Sequence, residues 1–180
     1  MVKNEVDFRD DAIKFAAYLM AISARTAPKS KGEDFLEILY LDKNETNKIA
    51  ERMIELGKER GKGFIRDGES LKKASAILLI GVKGDEPLGL NCGACGLDCK
   101  KMKEIKRTSK DFTGPNCIFR ILDLGIAIGS AVKLASVLNV DNRVIYRIGV
   151  VARELGYSKA DVVLGIPLAS LGKNPFFDRK

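Results

Sequence analysis

The sequence predicts a mixed α and β fold, and three observations carry that prediction. Residues 76–82, Ala-Ile-Leu-Leu-Ile-Gly-Val, form a continuous apolar run of strand length, as expected for a central strand covered on both faces. Residues 35–41 alternate Phe35, Glu37, Leu39 and Leu41 against Leu36, Ile38 and Tyr40, a second strand. Between and around these lie segments with apolar residues at three- and four-residue spacing, the signature of amphipathic helices. A length of 180 residues suits a single domain, and no repeat or linker divides residues 1–180.

The elements follow in order. Residues 7–25 read as a helix through Phe8, Ala12, Phe15, Leu19 and Ile22, apolar nearly all round and therefore expected to be deeply buried. It should end before Pro28, whose ring disfavours helix in the preceding residue. The loop after it holds three cations, Arg25, Lys29 and Lys31, with the hydroxyls of Thr26 and Ser30, a composition suited to a solvated turn or to a phosphate. Asn44 is a candidate cap for a helix over residues 45–60, and the glycines from Gly57 to Gly63 are expected to stop it. That glycine cluster lacks the Gly-Lys-Ser/Thr order of a P-loop. A long helix is expected over residues 117–139, with Gly125, Ala127, Gly129, Ser130 and Ala131 making one stretch nearly flat for close approach of a helix or a flat ligand. Asp141 or Asn142 should cap a helix running to Leu155, with Gly156 as its stop. A last strand is expected over residues 162–166, ended by Pro167.

Composition excludes several functions. The protein has no histidine, which removes Ser-His triads, histidine bases and histidine metal ligands. With no tryptophan and aromatics at 7%, a base-stacking surface is disfavoured. The net charge of +7 falls to about +5 once four thiolates hold a metal centre, a modest excess that argues against nucleic acid. Acidic residues precede any apolar core at the start of the chain, and no apolar run is long enough to span a bilayer. A cytoplasmic location is expected, where clustered cysteines serve metals more readily than disulfides.

All four cysteines, Cys92, Cys95, Cys99 and Cys117, lie within residues 91–117, spaced C-x2-C-x3-C and then seventeen residues to the last. Three thiolates from one tight loop can reach three irons of a cubane while a distant fourth takes the remaining iron, so a [4Fe-4S] cluster is the first expectation. Gly93 and Gly96 permit the positive backbone angles such a wrapping loop needs. Structural zinc is the alternative, although it more often uses two separate C-x2-C knuckles. A centre with four cysteine ligands has no open coordination position, which favours electron transfer or structure over Lewis-acid chemistry. The basic run Lys100, Lys101, Lys103, Lys106, Arg107 and Lys110 reads as a solvated face, a docking surface for an acidic redox partner, or charge compensation for an anionic cluster.

The motif Asn-Cys-Gly-Ala-Cys-Gly-x2-Cys with Gly-Pro-Asn-Cys resembles the four-iron cluster domain of electron-transport and corrinoid proteins of anaerobes. The wider chain resembles a family of archaeal and bacterial proteins described as containing a ferredoxin domain. The segments that carry this are residues 24–29, the cysteine motif, residues 123–133, residues 140–144 and residues 165–168. A weaker resemblance is to the flavin-dependent nitroreductases, through Ala27-Pro28-Lys29-Ser30, the strand over residues 35–41, Asp123-Leu124-Gly125-Ile126-Ala127, Leu155-Gly156 and Leu164-Gly165-Ile166-Pro167. That resemblance implies an α+β, nitroreductase-like fold, a mixed central sheet flanked by helices, built as a homodimer with FMN at the interface. It places Arg25, Lys29, Ser30, Lys31 and Arg179 where the flavin and its phosphate would be held. Two features depart from it: residues 7–22 carry no Arg-Ser-x-Arg segment, and the cysteine loop is an insertion. The expected activity is a redox one, flavin-linked if FMN binds, against the alternative of a non-enzymatic regulatory module stapled by a structural metal. No catalytic acid or base can be assigned.

Overall fold

A computed structural model describes residues 1–178. Helix α1 (Arg9–Thr26) leads through a short turn (Ser30–Gly32) to β1 (Leu36–Leu41), then to α2 (Lys43–Arg60), α3 (Lys62–Leu71) and β2 (Ala76–Val82). The cysteine-bearing stretch follows, with α4 (Cys99–Glu104) and a small hairpin of β3 (Thr108–Ser109) and β4 (Thr113–Gly114). Helix α5 (Ile118–Val137), β5 (Asp141–Asn142), α6 (Tyr146–Glu154) and β6 (Val162–Ala169) complete the fold.

The main sheet runs β1-β2-β6-β5, with Leu36 opposite Val82 and Ile77 opposite Pro167. The expected α+β arrangement of helices on a central sheet is present. Its pairing is antiparallel throughout rather than mixed, because β1 returns to β2 through the antiparallel helix pair α2–α3 and β6 comes back along β2. Every residue of β2 is buried. Its alternating side chains serve two cores. Ala76, Leu78, Ile80 and Val82 face α1 and α5 together with Ile166 and Leu168. Ile77 and Leu79 face the opposite layer, with Ile49 and Met53 of α2, Phe64 and Leu71 of α3, and Ile148 of α6. Burying each large apolar side chain contributes about 1.5–3 kcal/mol, so this strand anchors both layers.

Four expectations change. Helix α1 is buried on one face only: Ile13, Ala17, Met20 and Ala24 point inward, while Phe15, Leu19 and Ile22 are 67%, 47% and 60% exposed. Helix α2 stops at Arg60 within the glycine cluster, as expected, but it starts at Lys43 under an Asp42 cap rather than after Asn44, and helical structure resumes at once in α3. Gly61, at φ +98°, turns the chain into α3, and a Cβ on Gly57 or Gly68 would sit 2.3 Å from Ile65 or 2.8 Å from the Ala50 carbonyl. Those glycines are where α2 and α3 press together. Asp141 and Asn142 form a strand pairing with Leu168 and Ala169 rather than capping a helix. Strand β6 also runs through Pro167. The missing N–H there points toward β5, on the same side as the Gly165–Ile145 bridge, where Arg143 and Val144 leave the ladder.

Candidate metal centre

The cysteine stretch leaves the body after β2 and returns to it at α5. Asn91, at φ +48°, bridges the loop ends: its Oδ1 accepts from the Cys99 amide at 3.0 Å and its own amide donates to Cys99 Sγ at 3.4 Å. Gly93 and Gly96, at φ +70° and +82°, close a turn around Ala94 and Cys95 by a Gly96 N–H to Gly93 carbonyl bond of 2.9 Å. Asp98 caps α4, its carboxylate accepting from the Lys101 amide at 2.7 Å. Cys117 occupies the N-cap position of the 20-residue α5 without a side-chain capping bond, and its amide donates to the Gly84 carbonyl at 2.8 Å.

A small satellite core supports this stretch: Leu88, Met102 and Cys117 are buried together, with Cys95, Leu97 and Phe119 packed against them. Cys95 and Cys117 therefore share one apolar nest, Cys99 is half-buried, and Cys92 is exposed. All four thiols are free, and Cys95 Sγ–H points at the Leu97 carbonyl, 3.6 Å away. Among the described residues, no three or more Cys, Asp or Glu side chains stand gathered as ligands of one metal ion. The donor set is nonetheless a soft four-thiolate one. Asp98, the one carboxylate between Cys92 and Cys99, is engaged in its helix cap, and an amide already approaches Cys99 sulfur, as metal-bound thiolates accept.

The basic run divides. Lys100, Lys101, Lys103 and Lys106 are exposed, with Lys103 paired to Glu86 at 2.9 Å. Arg107 instead turns inward, donating to Asp161 at 2.7 Å and to Asn116 at 3.0 Å, and is not available to a docking partner.

Of the five residues expected at a flavin, Arg179 lies outside the described residues. Arg25, Lys29, Ser30 and Lys31 do come together, at the C-terminal end of α1, and each is already engaged. Arg25 donates to Asp34 and to the Leu36 carbonyl, at 2.7 and 3.1 Å. The largely buried Lys29 ammonium caps α1 by donating to the carbonyls of Arg25 and Ala27. Ser30 gives both its amide and its hydroxyl to Asp123 Oδ1 at 2.8 Å, and Lys31 reaches the Leu88 carbonyl at 2.7 Å. Partial burial pushes the Asp34 carboxyl up, but hydrogen bonds from Arg25 and the Leu36 amide, with the charges of Arg25 and Lys29, hold it below its ordinary value.

Arg120 and Asp123 were not singled out as a pair by sequence reasoning. Arg120, 1% exposed, donates to the Glu86 carbonyl at 3.0 Å and to Glu33, pairs with Asp123 at 3.6 Å and lies over the Phe35 ring at 4.2 Å. It ties the turn after α1 to the segment entering the cysteine loop. The signal available was a lone cation in the first turns of an apolar helix, three residues before an acid.

The outer faces of α1 and α5 carry Phe15, Leu19, Ile22, Leu122 and Ile126 into solvent. Gly125 and Gly129 open onto the same side, with nothing among the described residues within 4 Å of a Cβ placed there. A groove of about 450 Å³ lies at one end, lined by Phe8, Phe15, Leu19 and Leu138. No helix among the described residues is long and apolar enough to cross a membrane.

Comparison with known proteins agrees with the fold. Residues 113–179 match the family described as "Uncharacterized protein containing a ferredoxin domain", a segment that includes Cys117 but not the three-cysteine loop. A protein of Archaeoglobus fulgidus is 55% identical over 180 residues, covering 99% of this chain and 98% of that one. Among solved structures, nitroreductase CinD from Lactococcus lactis, in complex with nicotinic acid, aligns over 96% of this chain and 81% of its own. The TM-score is 0.58 at 13% identity. A Desulfovibrio desulfuricans protein solved with FMN aligns over 92% and 78%, with a TM-score of 0.56 and 12% identity. The NADPH:FMN oxidoreductase of Vibrio harveyi, complexed with NAD+, aligns with a TM-score of 0.53 at 14% identity over 92% of this chain. This chain spans only 63% of that longer one. The shared feature is the nitroreductase fold.

Proposed function

Because the chain belongs to this family of ferredoxin-domain-containing proteins, we propose that it is an iron–sulfur protein with a redox role, binding one [4Fe-4S] cluster through Cys92, Cys95, Cys99 and Cys117. The observation that carries the reading is the placement of these thiols: Cys95 and Cys117 share an apolar nest while Cys92 stands at the surface. When bound, such a cluster carries one electron at a time. The chain's own residues divide the remaining work. The satellite core of Leu88, Met102 and Phe119 keeps water from one side of the thiols, and the Asn91 amide donates to Cys99 sulfur. With a cluster bound, the exposed Cys92 side would be the route for an electron to enter or leave. Lys100, Lys101, Lys103 and Lys106, exposed in and just after α4, would steer an acidic redox partner.

FMN is a second proposed cofactor. The nitroreductase fold and the gathering of Arg25, Lys29, Ser30 and Lys31 favour it, with Arg179 as a further cation; their internal hydrogen bonds mean that Arg25 or Lys31 would have to exchange partners to hold a phosphate. The apolar outer face of α1 and α5 favours a homodimer. We place the protein in the cytoplasm, where its free thiols are stable, and treat residues 1–180 as one unit carrying the metal-binding loop 91–117. The alternative function is a non-enzymatic module in which zinc or a cluster staples the loop to the body.

Iron, sulfide, zinc and flavin analysis of anaerobically purified protein tests the reading. Near four irons and four sulfides per chain, with visible absorbance bleached by dithionite, is expected. One zinc per chain and no iron overturns it in favour of the structural module, and the presence or absence of released FMN decides the flavin.

A further inference from the structure

We propose that Arg107 is a positioning residue for Cys117, locking the fourth thiol to the end of the central sheet so that the three-cysteine loop closes onto a preset ligand. The proposal deepens the four-thiolate reading and rests on it. Its basis is a closed ring of hydrogen bonds. Arg107 donates to Asp161 Oδ1 at 2.7 Å, and Asp161 Oδ2 accepts from the Gly84 amide at 2.7 Å. The Gly84 carbonyl accepts from the Cys117 amide at 2.8 Å. Arg107 closes the ring by donating to the Pro115 carbonyl at 3.2 Å and to Asn116 Oδ1 at 3.0 Å, the residues just before Cys117.

The ring is fixed to the body at its sheet end. The Asp161 amide donates to the carbonyl of Val82, the last residue of β2, and Asp161 itself is 8% exposed. Asn116 packs flat on Gly84, where a Cβ would meet its Oδ1 at 2.2 Å, and donates to the Thr113 carbonyl at 2.7 Å. Among the described residues, no comparable ring ties the other three cysteines to the sheet; Cys99 is held by Asn91 within its own loop. Their loop meets the body through the satellite core, the Lys31 bond to Leu88 and the Arg120 bond to Glu86.

Charge separates positioning from simple compensation of an anionic cluster. Arg107 faces two carboxylates, Asp161 at 2.7 Å and Asp85 at 3.5 Å, so the group carries a net negative charge even with the guanidinium in place. Its charge is balanced locally, and what it offers Cys117 is geometry: a planar fork that spans Asp161 and Asn116 at once.

The test uses timed alkylation by iodoacetamide of metal-free protein, with each cysteine followed by peptide mass mapping. In the wild type, Cys117 should react at least about 10-fold more slowly than Cys92, as expected for a thiol reached only by local opening. Arg107→Ala should accelerate Cys117 about 10-fold with the rates at Cys92, Cys95 and Cys99 unchanged within about 2-fold, and Arg107→Lys should fall between. Asn116→Ala, which removes the other end of the fork, should act in the same direction and decides the matter if Arg107→Ala fails to fold. Unchanged Cys117 protection in the folded variants, or equal acceleration at all four thiols, overturns the proposal. A parallel anaerobic reconstitution with iron and sulfide should show faster loss of visible absorbance to a chelator in Arg107→Ala. If the wild type takes up no cluster at all, the four-thiolate reading fails, while the alkylation result still reports on the clamp.

Discussion

Replacing Arg120 by alanine should be among the most damaging single changes in this protein. Arg120 is 1% exposed, and its partner Asp123 has a side chain only 4% exposed. Asp123 Oδ1 accepts twice from Ser30, but Oδ2 has no hydrogen-bond partner, and Arg120 at 3.6 Å supplies the opposing charge. Truncation leaves a buried carboxylate facing an empty volume. Breaking a buried pair in this way costs about 3–5 kcal/mol. The bond to Glu33, half exposed, adds about 0–1 kcal/mol because solvent screens it. At roughly 2–4 °C per kcal/mol for a domain of this size, the melting temperature should fall by about 6–24 °C. Urea unfolding and thermal melts of Arg120→Ala, Asp123→Asn and the Arg120→Met/Asp123→Asn double variant measure it. The double variant should recover at least about 1.5 kcal/mol relative to Arg120→Ala, because it no longer buries an unpaired charge. A loss below about 1 kcal/mol in Arg120→Ala, or no recovery in the double variant, would refute the reasoning.

Three further outcomes follow from the geometry. Gly149→Ala puts a Cβ 1.8 Å from the Val163 carbonyl oxygen, so α6 must lift from β6, and the urea midpoint should drop by an amount equal to about 3 kcal/mol. Asp111 is held below its ordinary value first by hydrogen bonds from Arg60 and then by Tyr146. Its folded pKa is thus depressed, so its stabilisation is fully present above about pH 4 and is lost as pH falls through the folded value. The stability gap between wild type and Asp111→Asn should therefore be visible at pH 7 and vanish on acidification, as followed by urea titrations across pH. Ile126→Asp places a carboxylate on the apolar outer face of α5. Light scattering should show a dimer for the wild type and at least about 100-fold weaker association for the variant, whereas a monomeric wild type removes the dimer reading.

Much of this fold is written locally. The run from Ala76 to Val82 reads as a doubly covered strand, because consecutive apolar residues in a short element need cover on both faces, and the four cysteines stand out as a candidate ligand set by type and spacing. The elements that were misread depend on partners distant in the chain. Helix α3 went unread because its glycines argue against helix, yet Gly57 and Gly68 are tolerated where α2 and α3 touch. Asp141 and Asn142 look like helix caps until β6 offers them a pairing edge. The apolar circumference of α1 announced burial without saying by what, and half of it faces outward. At the candidate site, the clustering of the thiols was legible and the contacts of the cations were not. Arg107 and Lys103 have the same charge four residues apart, and only the folded chain brings Asp161, distant in sequence, beside one and leaves the other at the surface with Glu86. Residue type determined which atoms can bind a metal; tertiary contacts decided which charges are tied to the body and which face solvent, because a side chain's partners are set by the meeting of segments that sequence spacing does not record.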